Sequence, residues 1–165
     1  MRSRILLVAV TAMVAGGAVW TYAQRRAGSA LSPQDMIEIY QLYGYYTRDV
    51  DPSSERDASW LFTTDGTFET PQGLKLNGQQ QLKAFYEDLR KRQSFGIRHL
   101  NSNFLLHATP EGAGGTAYMI QVERRDTSKP IAVTIFGVYH DTFVKTAEGW
   151  RFKSRMFRPD GPVGQ

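Results

Sequence analysis

FGIRHLNSNFLLH, residues 95–107, marks the point at which the spacing of the apolar residues changes along the chain. Before it, apolar residues recur at the three- and four-residue spacing of one helix face. After it, they alternate with polar residues, as they do in strands. Because helices come first and strands last, the sequence predicts the α+β class.

Four strands are predicted from this point onward. They are expected at residues 97–107, 115–125, 131–145 and 149–158, with turns at 110–115, 128–130 and 147–149. A long antiparallel meander of this kind can curve around the helices that precede it. We therefore predict a cone-shaped barrel, in which a curved antiparallel sheet wraps around N-terminal helices and leaves an open mouth that favours a pocket.

The first long helix has clear start and stop signals. Ser32 is suited to the N-cap, Pro33 to the first helical position and Asp35 to the first turn. The helix should end near Asp51, since a residue before proline avoids the α region. A shorter helix capped by Ser53 or Ser54, a turn at 65–66, strands at 67–70 and 74–77 and a third helix after residue 78 are expected next.

The N-terminus has the pattern of a targeting segment. Arg2 and Arg4 precede an apolar run from residue 5 to residue 20, and the small residue Ala23 follows at an acceptable cleavage site. We expect residues 1–30 to be a signal peptide or an N-terminal membrane anchor, and residues 31–165 to form one domain. The protein would be exported: periplasmic or secreted if the segment is cleaved, anchored in the inner membrane if it is not.

Charge and cysteine content exclude several classes of function. The chain has 20 basic and 16 acidic residues; four arginines precede residue 30, so residues 31–165 carry no net charge. Without a basic excess, we expect no nucleic-acid partner. The chain has no cysteine, which excludes disulfides and thiolate chemistry.

Tyr46, Asp51 and His99 are the residues best suited to catalysis. The first two lie near the end of the first predicted helix and the third lies in the first long strand. A phenol, a carboxylate and an imidazole in one pocket can move protons on a small organic molecule without a cofactor. The alternative is structural: His99 bound to a backbone carbonyl, the tyrosine in the core, and Asp51 capping the following helix.

Strict alternation divides the first long strand into two faces. The face of His99 is mixed in polarity, which favours a pocket wall, and it contains Ile97, His99, Asn101 and Asn103. The other face is expected to pack, and it contains Arg98, Leu100, Ser102, Phe104 and Leu106.

A metal centre is not expected. His99, His107 and His140 lack the spacing of ligand pairs. Asp49 and Asp51 alone supply too few oxygens for calcium. No dinucleotide or phosphate-binding fingerprint is present, since the glycines at 112–115 fall in a predicted hairpin. We therefore predict that the domain uses no cofactor.

Six short motifs follow one another along residues 33–158: Asp35–Ile39, Tyr46–Asp51, Phe62-x-x-Asp65-Gly66, Arg98-His99, Tyr139-x-Asp141 and Gly149–Phe152. In this order and spacing they resemble the motifs of the SnoaL-like group of the nuclear transport factor 2-like superfamily. The resemblance implies a cone-shaped α+β barrel and a homodimer formed through the sheet. It does not by itself imply catalysis, because the superfamily includes many non-catalytic members.

Within that group, the chain is most similar to the bile-acid 7α-dehydratase and scytalone dehydratase type. Tyr46 and Asp51 match catalytic positions of the former, and His99 matches a histidine of both. Gln121 stands where the bile-acid enzyme has a third catalytic residue, so Glu123, one step further along the same face, is a candidate substitute. Phe136 replaces a second pocket histidine, and Arg158 is a candidate substrate contact.

Two hypotheses follow. In the first, His99 is the base, Asp51 orients its ring and Tyr46 donates a hydrogen bond to the developing oxyanion, which makes the protein a dehydratase-like lyase or isomerase. Its substrate would be a small hydrophobic molecule that contains a ring. In the second, the domain is a non-catalytic binding or dimerisation module of the cell envelope. The residues expected to bind the ligand are Trp60, Phe62, Phe85, Ile97, Asn101, Met119, Gln121, Phe136 and Arg158.

Overall fold

The computed structural model describes residues 30–70, 72–92, 96–124 and 126–161. The predicted targeting segment, residues 1–30, lies outside these ranges except for its last residue. No helix within the described ranges is long and apolar enough to cross a membrane.

The described residues form two α-helices, one 3₁₀ helix and six strands, which confirms the predicted α+β class. In chain order they are α1 (Pro33–Val50), the 3₁₀ helix (Ala58–Leu61), β1 (Phe62–Glu69), β2 (Lys75–Asn77), α2 (Gly78–Arg92), β3 (Ile97–Thr109), β4 (Gly112–Glu123), β5 (Ala132–Thr146) and β6 (Gly149–Pro159). The four predicted long strands are all present, and α2 ends in the basic cluster at 90–92, where cations suit the helix dipole.

All six strands belong to one curved sheet in the order β2-β1-β6-β5-β4-β3. Every neighbouring pair is antiparallel except β1 and β6, which run parallel. The sheet has β2 and β3 at its edges and is therefore not closed into a barrel. Both helices pack on its inner face, which buries the core between helices and sheet.

The capping signal at the start of α1 is confirmed, and it also ties the helix to the sheet. Ser32 and Asp35 form a reciprocal capping box. The Asp35 carboxylate additionally accepts hydrogen bonds from Lys145 Nζ at 2.7 Å and Trp150 Nε1 at 3.0 Å. The bond from Lys145, then those from Ser32 and Trp150, hold the pKa of Asp35 well below its usual range.

The region after α1 differs from the prediction. Asp57, rather than Ser53 or Ser54, caps the next helix, which is a single 3₁₀ turn. The Ser54 hydroxyl instead donates to Asp49 Oδ1 at 2.9 Å. The predicted turn at 65–66 lies within β1, where the register against β6 shifts between residues 62 and 67, so these residues form a bulge.

A bulge in β3 also corrects the predicted face assignment. The register against β4 shifts between Ser102 and Leu105, and Asn103 adopts a positive φ of 52°. Before this bulge the residues with odd numbers face inward, and after it those with even numbers do. Leu100, predicted to pack, is half-exposed on the outer face, while Phe104 packs against the core.

Candidate active site

A cavity of about 150 Å³ lies between the two helices and the inner face of the sheet. Its wall combines aromatic and aliphatic side chains with a few polar groups. The lining residues are Tyr46, Val50, Phe68, Thr70, Gln72, Phe85, Tyr86, Leu89, His99, Met119, Gln121, Ile135, Tyr139 and Phe157. Ligand pockets for larger organic molecules usually have volumes of ~300–1,000 Å³. An apolar cavity of ~150 Å³ holds a benzene ring, so this cavity is the size of one ring.

Asp51 holds His99 in the cavity wall. Asp51 is the residue at which α1 ends, and its side chain is buried. Its Oδ1 accepts a hydrogen bond from the backbone N–H of His99 at 3.1 Å and lies 2.9 Å from the imidazole Nδ1. When Nδ1–H donates to the carboxylate, Nε2 is the nitrogen that can take a proton. This is the geometry of an oriented general base.

Three tyrosine hydroxyls belong to the same cavity. The hydroxyl oxygens of Tyr46 and Tyr86 lie 3.2 Å apart, and the side chain of Tyr139 lines the wall beside them. All three residues are at most 4% exposed. Burial first, and then the neighbouring Tyr46, raises the pKa values of Tyr86 and Tyr139 well above 10. Both groups therefore stay protonated and able to donate hydrogen bonds.

A buried ion pair lies behind these tyrosines. Arg155 Nε and Nη2 donate to the two carboxylate oxygens of Asp141 at 2.8 and 2.7 Å. The guanidinium carbon lies 4.0 Å from the ring centroids of both Tyr46 and Tyr139, which is within cation–π distance. The third guanidinium nitrogen, Nη1, has no hydrogen-bond partner among the described residues. A positive charge therefore lies against two rings of the cavity wall.

The structure places five of the predicted site residues in the cavity wall: Tyr46, Phe85, His99, Met119 and Gln121. Asp51 lies behind His99 and bonds to it. The amide nitrogen of Gln121 donates to Thr134 Oγ1 at 3.0 Å.

Two aromatic residues predicted to shape the cavity lie elsewhere. Phe136 is 51% exposed on the outer face of the sheet, because Ile135 takes the inward position on β5. Trp60 donates from Nε1 to Asp49 at 2.7 Å, and the guanidinium of Arg56 covers its ring at 3.9 Å. The predictions for both residues are corrected accordingly.

Five further predicted residues lie outside the wall for separate reasons. Phe62 and Ile97 are core residues. Glu123 is buried at the end of β4, opposite Ile97, and Arg158 is an exposed partner of Glu69 at 2.9 Å. Asn101 faces inward opposite Met119, and neither polar atom of its amide has a hydrogen-bond partner among the described residues.

Four polar residues of the wall were not selected from the sequence: Thr70, Gln72, Tyr86 and Tyr139. Tyr86 lies on the apolar face of α2, and its place in the helical repeat is the same as that of an ordinary core residue. Tyr139 lies in one of the short motifs, but nothing in a strand sequence shows which aromatic residue has its hydroxyl beside a cavity. No group of three or more His, Cys, Asp or Glu side chains in the described ranges is arranged to hold a metal ion.

Solved structures with this architecture come from several bacteria. A Mycobacterium tuberculosis protein of unknown function is 21% identical, with a TM-score of 0.70 over 80% of each chain. A Nostoc punctiforme protein of unknown function with a cystatin-like fold is 20% identical, with a TM-score of 0.69 over 81% of this chain and 96% of that one. A Novosphingobium aromaticivorans protein named provisionally as a scytalone dehydratase is 24% identical, with a TM-score of 0.63 over 76% and 84%.

These identities support the fold alone. A search of proteins with curated functions gives no match. The sequence of residues 33–156, however, matches the SnoaL-like domain, and this range runs from the start of α1 into β6 and contains every wall residue of the cavity except Phe157. The chain therefore belongs to the SnoaL-like domain family of the nuclear transport factor 2-like superfamily.

Proposed function

We propose that the domain catalyses cofactor-free acid–base chemistry, a dehydration or an isomerisation, on a small molecule that contains one ring. The observation that carries this proposal is the bond between Asp51 and His99 Nδ1 at the wall of a one-ring cavity. It leaves the basic Nε2 of His99 in a wall that Tyr46 also lines. Membership of the family and the likeness to the provisionally named scytalone dehydratase support the same class of reaction.

The proposed step is an elimination next to a carbonyl group. His99 Nε2 takes a proton from the carbon beside the carbonyl, and Tyr46 donates a hydrogen bond to the enolate oxygen that develops. The bond from the next carbon to its hydroxyl then breaks, the leaving hydroxide takes the proton from the imidazolium, and water is released as the double bond forms. Isomerisation uses the same first step and returns the proton to another carbon.

The size of the cavity supports a small substrate class. A volume of about 150 Å³ accommodates a single ring. A polycyclic substrate exceeds this volume. The proposed function therefore concerns monocyclic compounds, and β-hydroxycyclohexanone is a suitable probe.

The test uses two reactions of simple probes. The protein should exchange the α-hydrogens of cyclohexanone for deuterium, followed by proton NMR, and convert β-hydroxycyclohexanone into cyclohexenone, followed by ultraviolet absorbance. His99→Ala should reduce both rates by ~10²-fold or more with little change in the thermal midpoint. His107→Ala, on the exposed part of β3, is the matched control and should retain both rates. Equal rates for the wild type and His99→Ala would reject the proposal.

A second candidate function, non-catalytic binding of the same ring, is favoured by one feature. The Asp51 carboxylate also accepts from the backbone N–H of His99, so the pair joins the end of α1 to β3 whether or not the ring moves protons. In that case fluorobenzene should bind the cavity and His99→Ala should leave its dissociation constant almost unchanged. Binding without any proton exchange would select this function.

We also propose that a second copy of the chain covers the outer face of the sheet. Exposed apolar side chains lie together on three neighbouring strands of that face: Leu100, Leu105, Tyr118, Ile120, Val133 and Phe136. Contiguous patches of this kind are typical of protein interfaces. Light scattering should give the mass of a dimer, and Phe136→Lys should shift it to a monomer; a monomeric wild type would contradict the proposal.

A further inference from the structure

A second cavity opens at the surface where α1 ends, and we call it the arginine pocket. Its volume is about 590 Å³, and its wall consists of three arginines, three acidic residues and two serines, with no apolar side chain. One of the acidic residues is Asp51, which also bonds to His99 in the wall of the inner cavity. The arginine pocket therefore adjoins the candidate active site but suits a polar ligand rather than a hydrophobic ring.

The three arginines of this wall keep hydrogen-bond donors that no protein group uses. The guanidinium groups of Arg48 and Arg56 form no hydrogen bond or ion pair with any residue that the structure describes. In Arg98, Nη1 donates to the backbone carbonyl of Ile97 at 2.7 Å, and Nε lies 3.8 Å from Asp51 Oδ2. Because each guanidinium has five N–H donors, most of these donors are left for a ligand or for water.

Arg56 is held in position by stacking. Its guanidinium carbon lies 3.9 Å from the ring centroid of Trp60, and the indole N–H of Trp60 donates to Asp49 Oδ2 at 2.7 Å. Stacking covers a face of the planar guanidinium and leaves the N–H groups at its edge free to bond. A side chain that is already oriented loses less conformational entropy on binding a ligand, so Arg56 is a preorganised donor.

The carboxylates of the wall are in a different state from the arginines. Asp49 accepts from a serine hydroxyl at 2.9 Å as well as from the indole, and Asp51 accepts from the backbone and ring of His99. Glu55 and Ser53 have no such partner in the described part of the chain and can bond to ligand hydroxyls. Since three arginines and three acids cancel in formal charge, an anion would be held by directed bonds from the guanidinium groups.

We propose that the arginine pocket binds a phosphate monoester of a polar molecule, of which sugar phosphates are the representative class. Guanidinium groups match the oxygens of a phosphate with paired hydrogen bonds. The volume is larger than a phosphate group and lies in the range of pockets for small organic molecules. Ser53 and Glu55 can bond to hydroxyls on the rest of the ligand. This inference goes beyond the proposed function and does not rest on it.

The experiment compares glucose 6-phosphate, inorganic phosphate and glucose by NMR chemical-shift titration at constant ionic strength. Glucose 6-phosphate should bind most tightly, and inorganic phosphate ~5–10-fold more weakly because it lacks the bonds to the hydroxyls. Glucose should show no measurable binding. Since Asp51 belongs to both sites, glucose 6-phosphate should shift the ring-proton signal of His99, whereas those of His107 and His140, which lie outside the arginine pocket, should not move.

Variants assign the binding to the arginines. Arg56→Gln and Arg98→Gln should each raise the dissociation constant of glucose 6-phosphate by ~5-fold or more, since each removes hydrogen bonds to a charged group. Arg56→Lys keeps the charge but not the paired bonds, and it should also weaken binding, a result that attraction by charge alone does not produce. Arg124→Gln is the matched control, because Arg124 is an exposed arginine after β4 and lies outside the pocket.

Three outcomes overturn the inference: glucose binds as tightly as glucose 6-phosphate, binding is unchanged in both Arg56→Gln and Arg98→Gln, or Arg124→Gln weakens binding as much as they do. Equal binding of inorganic phosphate would overturn the assignment to an ester. None of these measurements requires turnover. Expected binding without exchange of cyclohexanone hydrogens would reject the proposed catalysis alone, and His99-dependent exchange without binding of glucose 6-phosphate would reject this inference alone.

Discussion

Two of the buried carboxylates, those of Asp141 and Asp51, have opposite surroundings. Asp141 accepts two hydrogen bonds from Arg155 and one from the Tyr43 hydroxyl at 2.5 Å, all within the core. Asp51 accepts from the backbone and imidazole of His99, which lines a cavity. The Asp141 carboxylate is saturated by donors inside the protein, so we call Asp141, Arg155 and Tyr43 the saturated cluster, although Arg155 Nη1 itself has no partner among the described residues. In the pair of Asp51 and His99, which we call the reactive pair, the imidazole lines the cavity and is the group proposed to exchange a proton with a ligand.

The two clusters lie close together because the same aromatic rings connect them. Arg155 contacts the ring of Tyr46, which lines the cavity, and the ring of Tyr43, which bonds to Asp141. Tyr43 and Tyr46 are three positions apart on α1 and so share one face of the helix. The comparison suggests that the saturated cluster fixes α1 against the sheet and thereby fixes the position of the reactive pair.

The largest expected effect on this comparison comes from breaking the saturated cluster. Asp141→Asn removes the negative charge and leaves Arg155 buried without a counterion, which should lower the free energy of unfolding by ~3–5 kcal/mol. Urea unfolding followed by circular dichroism measures the change. Asp160→Asn, at the exposed end of β6, is the control. A loss below ~1 kcal/mol would show that water or rearrangement compensates Arg155 and that the cluster is not saturated.

Breaking the bond between Asp51 and His99 should reduce proton exchange strongly and stability only slightly. Asp51→Asn can still accept from the backbone N–H of His99 but no longer stabilises an imidazolium, so proton exchange should fall by ~10²-fold. The unfolding free energy should fall by only ~1 kcal/mol. The cyclohexanone exchange rate and the urea midpoint are measured on the same sample. A large loss of stability with an unchanged exchange rate would make Asp51 a structural residue.

The residues of the reactive pair could be predicted from the sequence, whereas those of the saturated cluster could not. The residue types of Tyr46, Asp51 and His99 suit proton transfer, and the structure places Tyr46 and His99 in the wall of one cavity with Asp51 bonded to His99. The role of Arg155 could not be predicted, because an arginine in an amphipathic strand usually points to solvent. Its burial depends on Asp141 being its direct neighbour on β5, a register that only the paired sheet defines.

The errors in the wall assignment have a similar origin. The antiparallel meander of β3 to β6, the capped α1 and the α+β class follow from local patterns and agree with the prediction, whereas the parallel pairing of β1 with β6 is not predicted by them. Leu100 faces outward although Phe104 faces inward, because the bulge after Ser102 lies between them. Phe136 faces outward because the helices cover the other face of β5. A shift of one residue reverses every side chain that follows it. Alternation alone therefore identifies two faces but does not say which one is inside.

Tyr43 and Tyr46, on one face of α1, allow the two groups to be compared by removing one hydroxyl from each. Tyr43→Phe removes a donor to the Asp141 carboxylate and should cost ~1.5–3 kcal/mol of stability without changing the binding of fluorophenol, a single ring with a hydroxyl, in the inner cavity. Tyr46→Phe removes a cavity hydroxyl and should weaken fluorophenol binding by ~10-fold with a smaller change in stability. Urea unfolding measures the stability of each variant, and fluorine NMR measures its fluorophenol binding. If both variants lose stability and binding to the same extent, the two hydroxyls belong to one network and the saturated cluster and the reactive pair are not separate.

The smallest expected effect concerns Asp35, a carboxylate at the opposite end of α1 from Asp51. Its pKa is held down chiefly by the bond from Lys145, so its ionised form is favoured by folding. A depressed folded-state pKa stabilises the protein above the unfolded value of ~3.9, and this contribution is lost as the pH falls below it. Asp35→Asn should therefore cost ~1 kcal/mol at neutral pH and less in acid, since the pair is near the surface. Urea unfolding of both proteins from pH ~6 down to ~2 tests this: the difference between the two stabilities should shrink progressively as the pH falls below ~4, while a constant difference would assign the contribution of Asp35 to hydrogen bonds that do not depend on its charge.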